Sequence, residues 1–263
     1  MSECYILPIS VIIGRFLDNG SYLTMHDNIF AAPRDRIGDF SFDDTVANVF
    51  PDMIKRSVPG YSNIVSAIGM YTAKFSKPGT KLYDLGCSLG ACSIEMNRYA
   101  AEGCEVIGID NSEAMVSRAR EIVKGYKGNG KVTIISGDIT DFDFEPASVV
   151  VLNFVLQFIA PEKRNALMKK IADALVPGGI LVLSEKFRFT DETIQDTLFD
   201  LHLDFKKANG YSDLEISQKR TSLENVLISD DIPTHLRRLT DCGFSHASVW
   251  YQCFNFGSII AIK

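Results

Sequence analysis

Tyr83-Asp84-Leu85-Gly86-Cys87-Ser88-Leu89-Gly90 sets a carboxylate, two glycines and small residues where a short aliphatic run turns toward a helix. Small residues at such a turn let the backbone approach a bound molecule and point its N–H groups at it. Ser88 stands where the G-x-G-x-x-G fingerprint has its second glycine, the one that lets a pyrophosphate lie against the chain. A ligand without a pyrophosphate is favoured. Asp110 closes the next aliphatic run, where a carboxylate can accept hydrogen bonds from both ribose hydroxyls of an adenosine, as NAD and S-adenosylmethionine both require. Gly137-Asp138-Ile139 follows the third run and favours S-adenosylmethionine: an Asp and a neighbouring N–H can read the adenine edge while the Ile packs on its face. Asn153 closes the fourth run, near the point where a sulfonium methyl would project.

Plainer roles exist for each residue. Gly86 and Gly90 can be turn glycines, Asp110 a helix cap, Asp138 a turn stabiliser and Asn153 a strand-end hydrogen bonder. Cys87 is read as a small turn residue rather than a nucleophile, because no histidine lies near it in sequence.

These residues must be held along one edge, and from Lys81 onward strand-like and helix-like segments alternate as in a parallel sheet with crossover helices. Lys81 to Leu85, Glu105 to Ile109, Val132 to Ser136, Ser148 to Leu152 and Ile180 to Glu185 are short and aliphatic, the pattern of strands buried on both faces. Helices are expected near 90–101, 112–126, 162–176 and 191–208. Asn111-Ser112 supplies a cap for the second of these, and Pro177-Gly178-Gly179 is expected to stop a helix before the fifth strand. Ala247 to Cys253 and Ser258 to Ile262 read as an antiparallel hairpin joined through Asn255-Phe256-Gly257, giving the sheet one reversed strand. Ahead of the first strand, Asp43 to Phe75 reads as helical pieces broken at Pro51 and Pro59, an N-terminal cover over the sheet's carboxyl edge. Its last piece carries the stripe Ile64, Val65, Ile68, Tyr71 and Phe75.

Of the 263 residues 46% are hydrophobic and 23% charged, which excludes a disordered chain and suits one large domain. Asp and Glu number 33 against 27 Lys and Arg, a net charge of −6, so no overall positive field gathers nucleic acid. The six cysteines form no C-x-x-C and the four histidines never fall at metal-ligand spacing with them, so a reduced, cytoplasmic protein without a metal is expected. Residues 1–24 include an apolar stretch, Tyr5 to Ile13, too short to span a membrane and without the basic flank of a signal peptide. They are expected to be a disordered extension, or to lie upstream of a true start at Met25. Residues 25–263 then form a single S-adenosylmethionine-binding catalytic domain.

Strand, D-x-G-x-S-x-G, helix, an acid after strand two, G-D-I after strand three and a terminal hairpin together resemble a class I S-adenosylmethionine-dependent methyltransferase. That resemblance implies a Rossmann-like α/β fold: a seven-stranded, mostly parallel sheet with one antiparallel strand and an added helical cover. Further motifs narrow it. Phe50-Pro51-Asp52-Met53-Ile54, Arg56 to Asn63, Leu183-Ser184-Glu185-Lys186-Phe187, Phe205 to Ser212, Glu215 to Arg220 and Gln252 to Gly257 closely resemble the carboxy-S-adenosyl-L-methionine synthases, from about Met25 to Lys263.

The resemblance implies that S-adenosylmethionine and prephenate become carboxy-S-adenosylmethionine and phenylpyruvate, through a sulfonium ylide that captures carbon dioxide. The product would supply a separate tRNA carboxymethyltransferase acting on wobble uridine, and the enzyme would be a homodimer. Carried over residue by residue, Tyr61 contacts the cofactor from the cover, and Gly86, Cys87 and Ser88 line its methionine part. Asp110 and Asn111 take the ribose, Asp138 and Ile139 the adenine, and Asn153 the region near sulfur. Arg220, at the family's carboxylate-binding position, is expected to bind the new carboxylate and the prephenate dianion before it, and to separate this chemistry from methyl transfer, because a guanidinium fork matches a carboxylate. Lys186 and Arg56 are read as structural cations. Two other functions stay open: an ordinary small-molecule methyltransferase, and a non-catalytic cofactor-binding subunit of a tRNA-modifying complex.

Overall fold

The structure, a computed structural model, describes residues 25–263; the expectations for residues 1–24 lie outside the described residues. Asp43 starts helix α1 (Asp44–Ser57) by accepting the Val46 N–H on its side chain. Pro51 does not break this helix, contrary to the sequence reading. Proline removes a single amide donor there, and burial of Val46, Ala47, Val49 and Met53 on one face carries the helix through it. The break falls at Pro59-Gly60, where Gly60 has φ +76° and an added Cβ would lie 1.8 Å from the Tyr251 hydroxyl. Helix α2 (Tyr61–Phe75) follows.

The strands are β1 (Lys81–Leu85), β2 (Glu105–Asp110), β3 (Lys131–Ser136), β4 (Ala147–Asn153) and β5 (Leu175–Lys186), with β6 (His246–Cys253) and β7 (Phe256–Ile262) last. They form one seven-stranded sheet in the order β3-β2-β1-β4-β5-β7-β6. β1 to β5 are parallel, and β7 is antiparallel to both of its neighbours, so the reversed strand lies one in from the edge. Between the strands lie α3 (Ala91–Tyr99), α4 (Glu113–Lys124) and α5 (Pro161–Ala174). After β5 come α6 (Glu192–Ala208), α7 (Asp213–Leu223) and α8 (Ile232–Asp241).

Two boundaries differ from expectation. Pro177-Gly178-Gly179 lies inside β5 rather than ahead of it. The register to β4 jumps from Ala147↔Leu175 to Val149↔Ile180, while Gly178 and Gly179 exchange backbone bonds with Lys263. Backbone pairing with the chain's last residue holds the segment in the sheet. The final hairpin turns at Phe254-Asn255, with Phe256 already paired to Cys253 and Phe254 at φ +52°.

Alternate residues of each strand face opposite sides. Leu85, Ile109, Leu152 and Leu183 pack toward Leu167, Met168 and Ile171 of α5. Leu82, Val106, Val151 and Val182 pack toward Ile64 and Ile68 of α2 and Met96 of α3. Thus most of α2 covers a sheet face beside α3, and of the expected N-terminal cover it is α1, the chain before it and Tyr61 at the start of α2 that reach the carboxyl ends of the strands. Among the described residues no helix is long and apolar enough to cross a membrane.

Candidate active site

A cavity of about 230 Å³ opens at the carboxyl ends of the parallel strands, roofed by α1, α6 and α7. It is lined by Tyr61, Gly86, Cys87, Ser88, Asp110, Asn111, Asp138, Ile139 and Asn153, so nine of the ten residues singled out from sequence meet around one space. Strand order explains the gathering. Open parallel sheets bind ligands outside their carboxyl ends, where the chain crosses over in opposite directions from neighbouring strands; here those are β1 and β4.

The loop after β1 is shaped for close approach. Gly86 has φ +73°, and a Cβ on it would meet a Val155 methyl at 2.5 Å. Ser88 occupies the left-handed region at φ 48°, supplying with a serine the conformation glycine usually provides. Its N–H donates to Asp110 Oδ2 at 2.8 Å, and Asp110 Oδ1 accepts the Ser112 N–H at 2.9 Å. Asp110 therefore ties two loops together, while Ser112 is the residue that caps α4. Burial raises the Asp110 pKa from its ordinary value, opposed by those two N–H groups. Asp138 accepts the Thr140 N–H at 2.8 Å, so it also stabilises its turn, and that bond lowers its pKa.

Deeper in, Asp84 takes the Ser93 hydroxyl at 2.6 Å, and burial lifts its carboxyl to about 6. Asn153 donates to Cys92 Sγ at 3.5 Å, and its buried Oδ1 has no hydrogen-bond partner among the described residues. An unpaired buried acceptor invites a ligand or water to complete it. Burial, with Asp84 and Asp110 beside it, pushes the Cys87 thiol well up, so it stays protonated and unsuited to nucleophilic attack. The Tyr61 phenol is likewise raised, chiefly by burial, and its ring lies 6.3 Å from that of Phe154. Phe154 holds a left-handed φ of 65° at the end of β4, a strained setting that the surrounding packing maintains.

Arg220 is the exception: its side chain is exposed on α7, outside the lining of the cavity. Successive helical residues are about 100° apart, so the inward place falls to its neighbour Lys219. Lys219 lines the cavity with Lys206 of α6 and Lys186 at the end of β5. Sequence reasoning missed Lys206 and Lys219, although helical phase contains the signal. Ile216, Lys219 and Leu223 share one face of α7, and Phe199, His202 and Lys206 share one face of α6. Lys186, read as structural, also faces this space. Arg56 sits instead in a buried network, donating to the carbonyls of Asp27 and Asn209 and to Asp52. The apolar walls come from Phe40, Phe42, Phe50, Phe158 and Phe256. Among the described residues no cluster of His, Cys, Asp and Glu is arranged to hold a metal.

Comparison with known proteins agrees with this geometry. A family model described as a methyltransferase domain matches residues 82–179. The chain is 59% identical over 238 residues to a carboxy-S-adenosyl-L-methionine synthase of Aeromonas hydrophila, covering 90% of this chain and 96% of that one. It is 57% identical over 244 residues to the Vibrio cholerae protein of the same description, covering 92% and 99%. Among solved structures, a magnesium protoporphyrin IX methyltransferase from Synechocystis with bound S-adenosylhomocysteine superposes with a TM-score of 0.56 at 19% identity, covering 86% of this chain and 89% of that one. An O-methyltransferase family protein from Burkholderia thailandensis gives 0.60 at 17% identity, covering 97% and 68%. At such identities these structures establish the fold alone.

Proposed function

Because the chain belongs to the carboxy-S-adenosyl-L-methionine synthase family, we propose that residues 25–263 form one catalytic domain that carboxylates S-adenosylmethionine with prephenate as co-substrate. The observation that carries this reading is the division of the cavity along the sheet edge. Acidic groups, Asp84, Asp110 and Asp138, stand at β1, β2 and after β3; cationic groups, Lys186, Lys206 and Lys219, stand at β5 and on the helices above it. A methyltransferase with a neutral acceptor has no use for the cationic half.

The residues fit S-adenosylmethionine. Asp138 and Ile139 frame adenine, and Asp110 with Asn111 takes the ribose. Gly86, Cys87 and Ser88 line the methionine part, Tyr61 closes over it, and Asn153 offers its open Oδ1 near the sulfonium. In the reaction, prephenate gives phenylpyruvate, carbon dioxide and hydroxide. The hydroxide takes a proton from the sulfonium methyl to form water, and the methyl carbon bonds to the carbon dioxide. The substrate supplies the base, which suits a cavity whose carboxylates are already hydrogen-bonded. The protein's part is to hold two substrates together and exclude water that would scavenge the carbon dioxide. Arg220 stands close enough to Lys206 to help depress its pKa, and we assign it to capture of the carboxylate at the rim.

The reading extends to assembly. Helix α6 buries only His202 of its 17 residues and leaves Ile194 and Leu201 exposed, with Leu214 exposed on α7. This face suits a second copy, giving a cytoplasmic homodimer. The product would pass to a separate tRNA carboxymethyltransferase, in line with a net charge of −6 that does not favour direct RNA binding. The test is incubation of purified protein with S-adenosylmethionine and prephenate. The expected product is S-adenosylmethionine heavier by one carbon dioxide, with phenylpyruvate in equal amount. Methyl transfer to prephenate, or no adduct at all, would refute the assignment.

A further inference from the structure

Three lysines face the cavity, and they are not equally neutralised. Lys219 lies 3.5 Å from Asp27 Oδ2 and donates to the Ser57 hydroxyl at 3.1 Å. Asp27 is in turn held by the Tyr211 hydroxyl, so Lys219 belongs to a closed network within the cavity wall. Lys186 and Lys206 differ: among the described residues neither side chain makes an ion pair or hydrogen bond. The Lys186 ammonium has only the ring faces of Phe256 and Phe199, at 5.9 and 6.0 Å.

Two half-buried ammonium groups without a counter-charge are costly beside apolar walls, and natural sites keep such groups where a ligand supplies the missing charge. The sheet edge shows where that ligand lies. Neighbouring strands are about 4.8 Å apart, so the end of β5 sits about 10 Å from the Gly86 loop of β1, with Asn153 of β4 between them. Lys186 therefore stands on the side of Asn153 away from Asp110 and Asp138. The sulfonium is itself cationic, so lysines beside it would repel it unless an anion lay between.

We propose that Lys186 and Lys206 form the subsite for the two carboxylates of the co-substrate, positioning that dianion between the sulfonium and the lysines, with Lys219 as a wall residue already neutralised by Asp27. This rests on the prephenate reading above and adds the residues that hold it. Burial, with repulsion from Lys219, Lys186 and Arg220, brings Lys206 down to about 7, which agrees with a cation awaiting an anion. Burial also lowers the pKa of Lys186.

The test uses full-length Lys186→Met, Lys206→Met and the double variant, with Lys206→Arg as rescue. Binding of S-adenosylhomocysteine by calorimetry reports folding and the adenosine half. Binding of prephenate to the S-adenosylhomocysteine-loaded protein reports the subsite without requiring turnover. The expected result is S-adenosylhomocysteine affinity within about three-fold of the parent. Prephenate affinity falls about 10- to 100-fold in each single variant, the range for losing one charge-assisted hydrogen bond, and Arg recovers part of it. In turnover the loss appears in KM for prephenate more than in kcat. Unchanged prephenate affinity in the double variant, while the parent forms the carboxylated product, overturns the subsite and leaves the reaction standing. Prephenate binding lost in the variants, with a parent that forms no product, supports the subsite and overturns the reaction.

Discussion

Asp110 joins the structure of the site to its chemistry, since its two oxygens already anchor the Ser88 and Ser112 amides before any ligand arrives. Asp110→Ala should therefore weaken S-adenosylhomocysteine binding by at least 10-fold, because the change removes both the ribose acceptor and the tie between two loops. Calorimetry would show it, and a change under two-fold would mean that the carboxylate only shapes the turn. His202 makes a prediction about acid. Its Nε2 lies 2.9 Å from the Ser57 carbonyl, and burial holds its pKa near 3, against an ordinary 6.5. A histidine held neutral in the fold contributes stability that is present above about 6.5 and is lost as pH falls toward 3. His235, held near 4 by burial, acts in the same direction. The melting temperature should fall between pH 6.5 and 4, and His202→Gln should make that fall shallower; an unchanged slope would remove His202 from the account.

Among the elements, the parallel half of the sheet was legible because its strands are aliphatic on both faces and end in the residues that line the cavity. Lys81 to Leu85 with Gly86, and Glu105 onward with Asp110, needed no tertiary information. The lysine wall was harder to read, since α6 and α7 each place adjacent cations, Lys206-Lys207 and Lys219-Arg220, on a short stretch. Which one turns inward depends on helical phase set by distant contacts: Lys206 and Lys219 line the cavity, Lys207 pairs with Asp213 and Arg220 is exposed. The strand through Pro177-Gly178-Gly179 was missed for a similar reason, its pairing partner Lys263 being at the far end of the chain. The exposed stripe on α6 yields its own prediction. A charge placed on that face, Leu201→Glu, should convert a dimer to a monomer in light scattering with the melting temperature little changed, since Leu201 is exposed on the helix. A parent already monomeric at micromolar concentration would contradict the proposed assembly.

For the whole molecule, one sheet edge carries acidic groups at β1 to β3 and cationic groups toward β5, with aromatic side chains around the same cavity, the division on which the proposed two-substrate reading rests. Net acidity of the chain and local capture of an anion are thus compatible, because the field that matters is the one inside the cavity. In the proposed reaction, carbon dioxide released from one substrate is captured by the other before water or bulk bicarbonate exchanges with it. Prephenate labelled with carbon-13 in its ring carboxylate, incubated with the protein and S-adenosylmethionine in unlabelled bicarbonate buffer, tests it most directly. The carboxylated product should carry the label in nearly full yield. Product carrying unlabelled carbon, or a methylated acceptor with the label lost as free carbon dioxide, would contradict it.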